Sequence, residues 1–366
     1  MRWSRPLTGS IAGAVALAAL AGCSSGTETT EPSTSAEGTT TDFTYALVTP
    51  GAAGDGSYID SAIAGAELAE SELGVTGSVV EAESVSQQES VLRSTVATRP
   101  DIIIAPGLDP ESLLAVAEEN PDQLFGVPSD IYVDELPDNV QAYSINMQDA
   151  SYLGGFIAGS MSETGQVGAV LGIDNPGLNQ FYYGYKQGVL DACADCEVTP
   201  TYLNGEFGDP AVGQEAALGL FQGGADIVYA VAGLSGQGVF TAAEETGNFA
   251  LGVDLNQDDD VPGTIITSVM KRVDVTTYAL IESALNDNFT SGFVQAGIGE
   301  GFSGLSWFAD STTFEDNGPE AMAAQVPELR DEVATLQEQI VSGELDVCDA
   351  LNDASSDVCA ALGVSG

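Results

Sequence analysis

Two charged side chains fall where a ligand contact would sit. Asp254 closes the apolar run Gly252-Val253-Asp254, and Lys271 closes Ile265-Ile-Thr-Ser-Val-Met270 a short acidic turn later. A carboxylate at the carboxyl end of one strand, close to a cation just past the next, matches the ligand edge of open α/β sheets. The carboxylate accepts hydrogen bonds from hydroxyls, and the ammonium donates them. As a plain surface ion pair the two would contribute under about 1 kcal/mol. Lys271 is, however, one of only two lysines in the chain, beside Lys186. The 366 residues include no histidine. That removes Ser-His-Asp and Cys-His catalysis and histidine-ligated zinc together. No catalytic residue, cofactor or metal ligand is assigned.

Charge narrows the ligand further. The chain carries 55 acidic against 8 basic residues, a formal charge of −47. Such a field repels nucleic acid and anionic headgroups and disfavours phosphorylated ligands. It also suits a salty habitat, where ions screen self-repulsion within a few ångströms.

Other motifs invite chemistry and lose on spacing. Gly233-Leu-Ser-Gly-Gln-Gly238 follows a strand but is not GxGxxG. The stretch from Asp254 to Asp260 imitates the start of a calcium loop, yet it lacks the turn glycine and has Ile265 at the bidentate position. Cys193 and Cys196, and Cys348 and Cys359, form two close pairs. Two local disulfides are the simplest account outside the cytoplasm. A redox CxxC would instead open a helix, whereas Cys193 follows one.

The N-terminus reads as an address. Arg2 and Arg5 precede an Ala-rich apolar run that ends Leu20-Ala21-Gly22-Cys23. The run is short for a membrane span, and its end resembles the lipobox of bacterial lipoproteins, which makes Cys23 the acylated residue. From Ser24 to Asp42 the chain is Ser-, Thr-, Gly- and Glu-rich, the composition of a flexible tether.

From Thr44 onward, apolar strands alternate with helical spacing of apolar residues. Asp101-Ile-Ile-Ile-Ala105 is a continuous apolar run, as a strand covered on both faces requires. A second βα series begins near Ala150. Two such series imply two Rossmann-like lobes with parallel sheets, and the leftover segments imply a hinge of three crossings. A helix is predicted from Ala321 to Val341. The expected division is a signal peptide over 1–22 and a tether over 23–42. A first lobe over 43–147 plus 255–290, a second over 148–254 plus 291–310, and a C-terminal extension over 311–366 complete it.

The landmarks along Tyr45 to Trp307 then resemble the basic membrane protein family of ABC-transporter substrate-binding lipoproteins, which includes purine nucleoside receptors. The matching pieces are Asp55-Gly-Ser-Tyr-Ile-Asp60 against Asp-x-Ser-Phe-Asn-Gln, Ser129-Asp130, Ser151-Tyr-Leu-Gly-Gly155, Asn204-Gly-Glu-Phe-Gly-Asp209, Ala232 to Val239, Gly252-Val-Asp254 and Ser268-Val-Met-Lys271. The resemblance implies a type I periplasmic-binding-protein fold and a nucleoside, with purine favoured, in the interlobe cleft. It implies a permease partner and a lipid anchor in the membrane. Tyr58 and Phe207 would sandwich the base, and Asp130 would face a base N–H. Asp254 and Lys271 would hold the ribose, with Asp55 and the backbone at Gly233 lining the sugar side. Ile59 and Asp60 stand where the family has asparagine and glutamine, which takes away an amide able to read the base edge. The alternatives are another neutral ligand, such as a sugar or signal molecule, and an extracytoplasmic enzyme lacking histidine.

Overall fold

The computed structural model describes residues 41–82, 84–129 and 131–364. The leader, Cys23, most of the tether, and Asp130 lie outside the described residues.

Strands and helices alternate because apolar runs alternate with helical spacing. In the first lobe the order is β1 (Thr44–Thr49), α1 (Tyr58–Leu73), β2 (Thr76–Glu81), α2 (Val85–Thr98), β3 (Ile102–Ile104), α3 (Pro110–Glu119), β4 (Leu124–Val127) and β5 (Val140–Ile145). β3 is three isoleucines, all fully buried, as a central strand covered on both faces demands. Asp109 starts α3 by accepting from the Ser112 N–H at 2.9 Å, with Pro110 in the first turn.

The second lobe runs α4 (Gln148–Met161), β6 (Gln166–Leu171), α5 (Pro176–Ala192), β7 (Glu197–Tyr202) and α6 (Pro210–Gln222), then β8 (Ile227–Val231), α7 (Gly236–Thr246) and β9 (Phe249–Asp254). α4 lies directly on α5. A side chain at Gly155 would stand 2.0 Å from the Tyr185 carbonyl, so only glycine admits that approach. The remainder is shared between lobes: β10 (Ile265–Lys271), α8 (Val273–Leu285), β11 (Gly292–Ala296) and β12 (Ser303–Leu305).

Both sheets have six strands, ordered β11-β5-β4-β3-β1-β2 and β12-β10-β9-β8-β6-β7. All pairings are parallel except β10 with β12. The chain passes between lobes at 145–148, 271–273 and 296–303, which gives the three crossings of a type I periplasmic-binding-protein fold. The crossings are tied to one another. The Asn146 N–H donates to the Ala296 carbonyl at 2.8 Å, and the Arg272 N–H to the Phe302 carbonyl at 3.0 Å.

Two expectations need correction. β10 belongs to the second sheet and β11 to the first, so 265–271 and 292–296 change places relative to the expected boundaries. The burial patterns give the reason. Every residue of β10 is buried, which suits a position between β9 and β12, while β11 alternates exposed and covered residues, as an edge strand does. The helix expected over 321–341 is also broken, into α10 (Glu320–Ala323) and α11 (Val326–Ser342), with α9 (Thr313–Asn317) before them. Pro327 lies in the first turn of α11, and in a continuous helix its ring would clash with the Ala323 carbonyl.

The C-terminal segment ends in α12 (Asp357–Ala361) and is stapled by Cys348–Cys359. It docks on α5, where Lys186 Nζ donates to the Leu362 carbonyl at 2.8 Å and Gln187 bonds Asp346 and Cys348. Cys193 and Cys196 form the other disulfide, in the turn between α5 and β7. Among the described residues no helix is long and apolar enough to cross a membrane.

Candidate functional site

The second lobe's contribution begins with the carboxyl ends of β9 and β10. Asp254 ends β9 with φ of 64°, in the left-handed region that few non-glycine residues adopt. Such a conformation persists only where the surroundings over-determine it, and it turns this carboxylate out of the strand. The side chain is nonetheless buried, and burial pushes its pKa up to about 6. A hydrogen bond from Ser57 and the nearby Lys271 ammonium pull the value down, and Asp55 raises it slightly. Lys271 ends β10, one strand across. Its Nζ lies 5.9 Å from the Tyr58 ring centroid and 5.8 Å from that of Phe181, so aromatic faces from both lobes flank the ammonium.

Just beyond, Asp258 is fully buried and accepts from three hydroxyls: Ser268 at 2.7 Å, Ser306 at 2.7 Å and Ser311 at 2.5 Å. Burial raises its pKa and the hydroxyls oppose that rise. The acidic turn that imitates a calcium loop is thus an internal knot: Asp259 accepts from Thr313, and Asp260 from Gln237. Among the described residues no cluster of His, Cys, Asp or Glu could hold a metal.

The first lobe contributes the loop before α1. Asp55 accepts from the N–H groups of Ser57 (3.0 Å), Ile59 (2.9 Å) and Asp60 (3.0 Å), and so takes up the orphan donors of the α1 N-terminus. Asp60 reaches back to the N–H groups of Gly54 (2.7 Å) and Gly56 (2.8 Å). The two carboxylates therefore fix the loop. Tyr58 sits with its ring edge over Gly107, 3.1 Å from where a β-carbon would be, and its hydroxyl bonds to that of Ser129.

These two edges meet. Ser57 Oγ donates to Asp254 Oδ2 at 2.5 Å, and Gln257 Nε2 donates to the Gly56 carbonyl at 2.8 Å. Three consecutive residues at the start of α1, Gly56, Ser57 and Tyr58, thus face Gln257, Asp254 and Lys271 in turn. Tyr132, in the loop after β4, closes the far end. Its hydroxyl lies against Gly177, where a β-carbon would come within 1.9 Å.

Phe207 is on the second lobe, in the loop between β7 and α6, and its side chain is 40% exposed. Its ring covers Gly172 at the carboxyl end of β6, where a β-carbon would sit 2.0 Å from Cε1, so any other residue there would push the ring aside. Gly233, with φ of 54°, approaches the Phe207 carbonyl on the other side. The structure therefore gathers Tyr58, Asp254 and Lys271 at one point, places Phe207 and Gly233 together on the same sheet edge as Asp254, and gives Asp55 to the loop backbone. Ser57, Gln257, Phe181 and Gly172 are site neighbours that sequence reasoning did not single out. Only Ser57 carried a signal, as a serine at a helix start with an aspartate already two residues upstream.

A family model described as "ABC transporter substrate-binding protein PnrA-like" matches residues 43–342. Basic membrane protein D of Borreliella burgdorferi (strain JD1) is 34% identical over 179 residues, 48% of this chain and 52% of that protein. Basic membrane protein A of Borreliella burgdorferi (strain ATCC 35210 / DSM 4680 / CIP 102532 / B31) is 27% identical over 82% of this chain and 86% of its own length. Against the first four such relatives the match spans 52% to 59% of their length. The crystal structure of an ABC transporter system solute-binding protein from Aeropyrum pernix K1 superimposes with a TM-score of 0.73 and 31% identity, covering 83% of this chain and 92% of that one. A second such protein, from Conexibacter woesei DSM 14684, gives 0.66 at 26% identity over 84% and 99%. Matched from its first strand through its long C-terminal helix, the chain belongs to the PnrA-like family of ABC transporter substrate-binding proteins.

Proposed function

We propose that this chain is a lipid-anchored extracytoplasmic receptor that binds a nucleoside, purine favoured, between its lobes and passes it to an ABC permease. The observation that carries the reading is the meeting of Asp254 and Lys271 from the second lobe with the start of α1 from the first. A buried carboxylate offers acceptor sites for paired sugar hydroxyls, and the ammonium supplies a donor beside it. Phe207, partly exposed at the same sheet edge, offers a stacking face for a flat base, with Tyr58 on the opposite lobe as its counterpart. Asp130 completes the proposed set on the base side. A neutral nucleoside is compatible with a chain of charge −47, whereas a nucleotide is repelled. Binding makes and breaks no bond, and the anchor rests on Cys23.

Calorimetry with inosine, guanosine, adenosine and free ribose tests the ligand. Tight binding of nucleosides without ribose binding is expected. Ribose binding alone would favour a sugar receptor, the reading that Ile59 supports: it packs beside Gly51 and presents no amide to a base. Incorporation of labelled fatty acid, lost in Cys23→Ala, tests the anchor.

A further inference from the structure

The stretch Gly233-Leu-Ser-Gly-Gln-Gly238, whose spacing does not suit a phosphate, has another use in this fold. Its last glycine lets α7 lie against α6: a β-carbon at Gly238 would stand 1.8 Å from the Pro210 carbonyl. Gly213 does the same from α6, where a β-carbon would stand 1.8 Å from the Ser235 carbonyl. This packing seats Ser235, fully buried, against the loop that carries Phe207. Ser235 then holds that loop at two points. Its N–H donates to the Phe207 carbonyl at 3.1 Å, and its Oγ accepts from the Asp209 N–H at 3.0 Å. Together the two bonds fix the backbone from which the ring projects.

The ring itself lies on Gly172. The three atoms nearest to a β-carbon there all belong to Phe207: Cε1 at 2.0 Å, Cζ at 2.3 Å and Cδ1 at 2.6 Å. Gly172 does not adopt positive φ, so its backbone would accept alanine, and the ring is what would not. Nor is the strand free to retreat. The Gly172 N–H donates to the Val231 carbonyl at 2.9 Å, and its own carbonyl accepts from the Gly205 N–H at 2.8 Å. A side chain at this position therefore displaces the partly exposed ring and leaves the strand where it is. Two strand spacings, about 10 Å, separate β6 from the strand of Asp254, so a ring face and a sugar contact occupy different points of one edge.

We infer that Gly172 and Ser235 are positioning residues for the stacking ring, Gly172 as its floor and Ser235 as the clasp on its backbone. Together they set the preference for a large flat base over a small one. The choice of base rests on the nucleoside reading, whereas floor and clasp rest on the distances above.

The test is calorimetry of the folded chain with inosine and uridine, joined to amide hydrogen exchange without ligand. Gly172→Ala is expected to weaken inosine about tenfold, the size of one lost base–aromatic stack, and uridine by less, because the smaller base has less face to lose. Its melting temperature should stay close to wild type, since an exposed ring yields. In a Phe207→Ala background the same substitution should alter neither affinity, because it acts only through the ring. Ser235→Ala is expected to strip exchange protection from the Asp209 amide and to lower inosine affinity in the same direction. If Gly172→Ala folds poorly, Ser235→Ala must show both changes. Equal losses of inosine affinity with and without the Phe207 ring overturn the proposal, and so does unaltered inosine affinity in Gly172→Ala. Unaltered inosine affinity in Phe207→Ala is a separate failure: the nucleoside reading loses its base contact and the ligand role of Gly172 falls with it, while hydrogen exchange still decides the clasp.

Discussion

Asp254 and Asp258 lie four residues apart at one corner of the second sheet, both buried, both with raised pKa, yet they do opposite work. Asp258 receives three hydroxyls from its own lobe and its C-terminal extension, so its oxygens are committed. Asp254 receives one hydroxyl in the described bonds, and it comes from the other lobe. The first is a bolt and the second a latch. Burial alone therefore does not mark a binding carboxylate. What differs is whether its partners belong to the same rigid body, since only partners on separate bodies can be exchanged when those bodies move.

Removing the bolt should have the largest effect. Asp258→Ala leaves Ser268, Ser306 and Ser311 without their shared acceptor, and we expect a loss of about 3 kcal/mol in stability by denaturant unfolding. An unchanged midpoint would erase the distinction drawn above. Removing the latch should instead spare stability. Asp254→Ala is expected to weaken a ribosyl ligand about a hundredfold or more by calorimetry, the loss of two charge-assisted hydrogen bonds. The unliganded melting temperature should stay nearly unchanged, because a costly buried charge leaves with the bond. Unchanged affinity would remove Asp254 from the site.

Acidification separates the two quantities at Asp254. Its native pKa, about 6, lies above the ordinary 3.8, so the folded state holds the proton more tightly. Its contribution to unliganded stability therefore rises as pH falls from about 6 to 4. Ligand hydroxyls, by contrast, favour the ionised form, so affinity should be flat above about pH 7 and fall about tenfold by pH 5. Asp254→Asn should flatten the affinity profile and remove only its own share of the stability rise. The same comparison separates it from Asp149, which burial, Asp349 and Glu300 likewise push up to about 6.

The smallest effect is expected at the other lysine. Lys186 holds the Leu362 carbonyl, so Lys186→Ala should free the stapled tail to proteolysis at a cost of about 1 kcal/mol, with ligand affinity unaltered. A change in affinity there would mean that the tail communicates with the cleft.

Much of the frame was legible in the chain. The triple isoleucine of β3, the Asp109-Pro110 start of α3 and the two βα series follow from local pattern, because periodicity and capping act over a few residues. The placement of Asp254 and Lys271 at strand ends was legible for the same reason. The boundary errors at β10 and β11 arose because both are apolar segments of similar length, and pattern does not say which sheet accepts them. Sheet membership depends on partners far away in sequence.

By itself, then, the sequence determined two α/β lobes, a surface hostile to anions, the absence of histidine chemistry and the carboxylate–lysine landmark. Only the tertiary structure decided that Asp55 serves its own loop, that Ser57 is released to the opposite lobe, and that Asp258 is spent internally. The physical reason is that a carboxylate's role is fixed by the donors that reach it. For Asp254 that donor lies 197 residues away along the chain and 2.5 Å away in space.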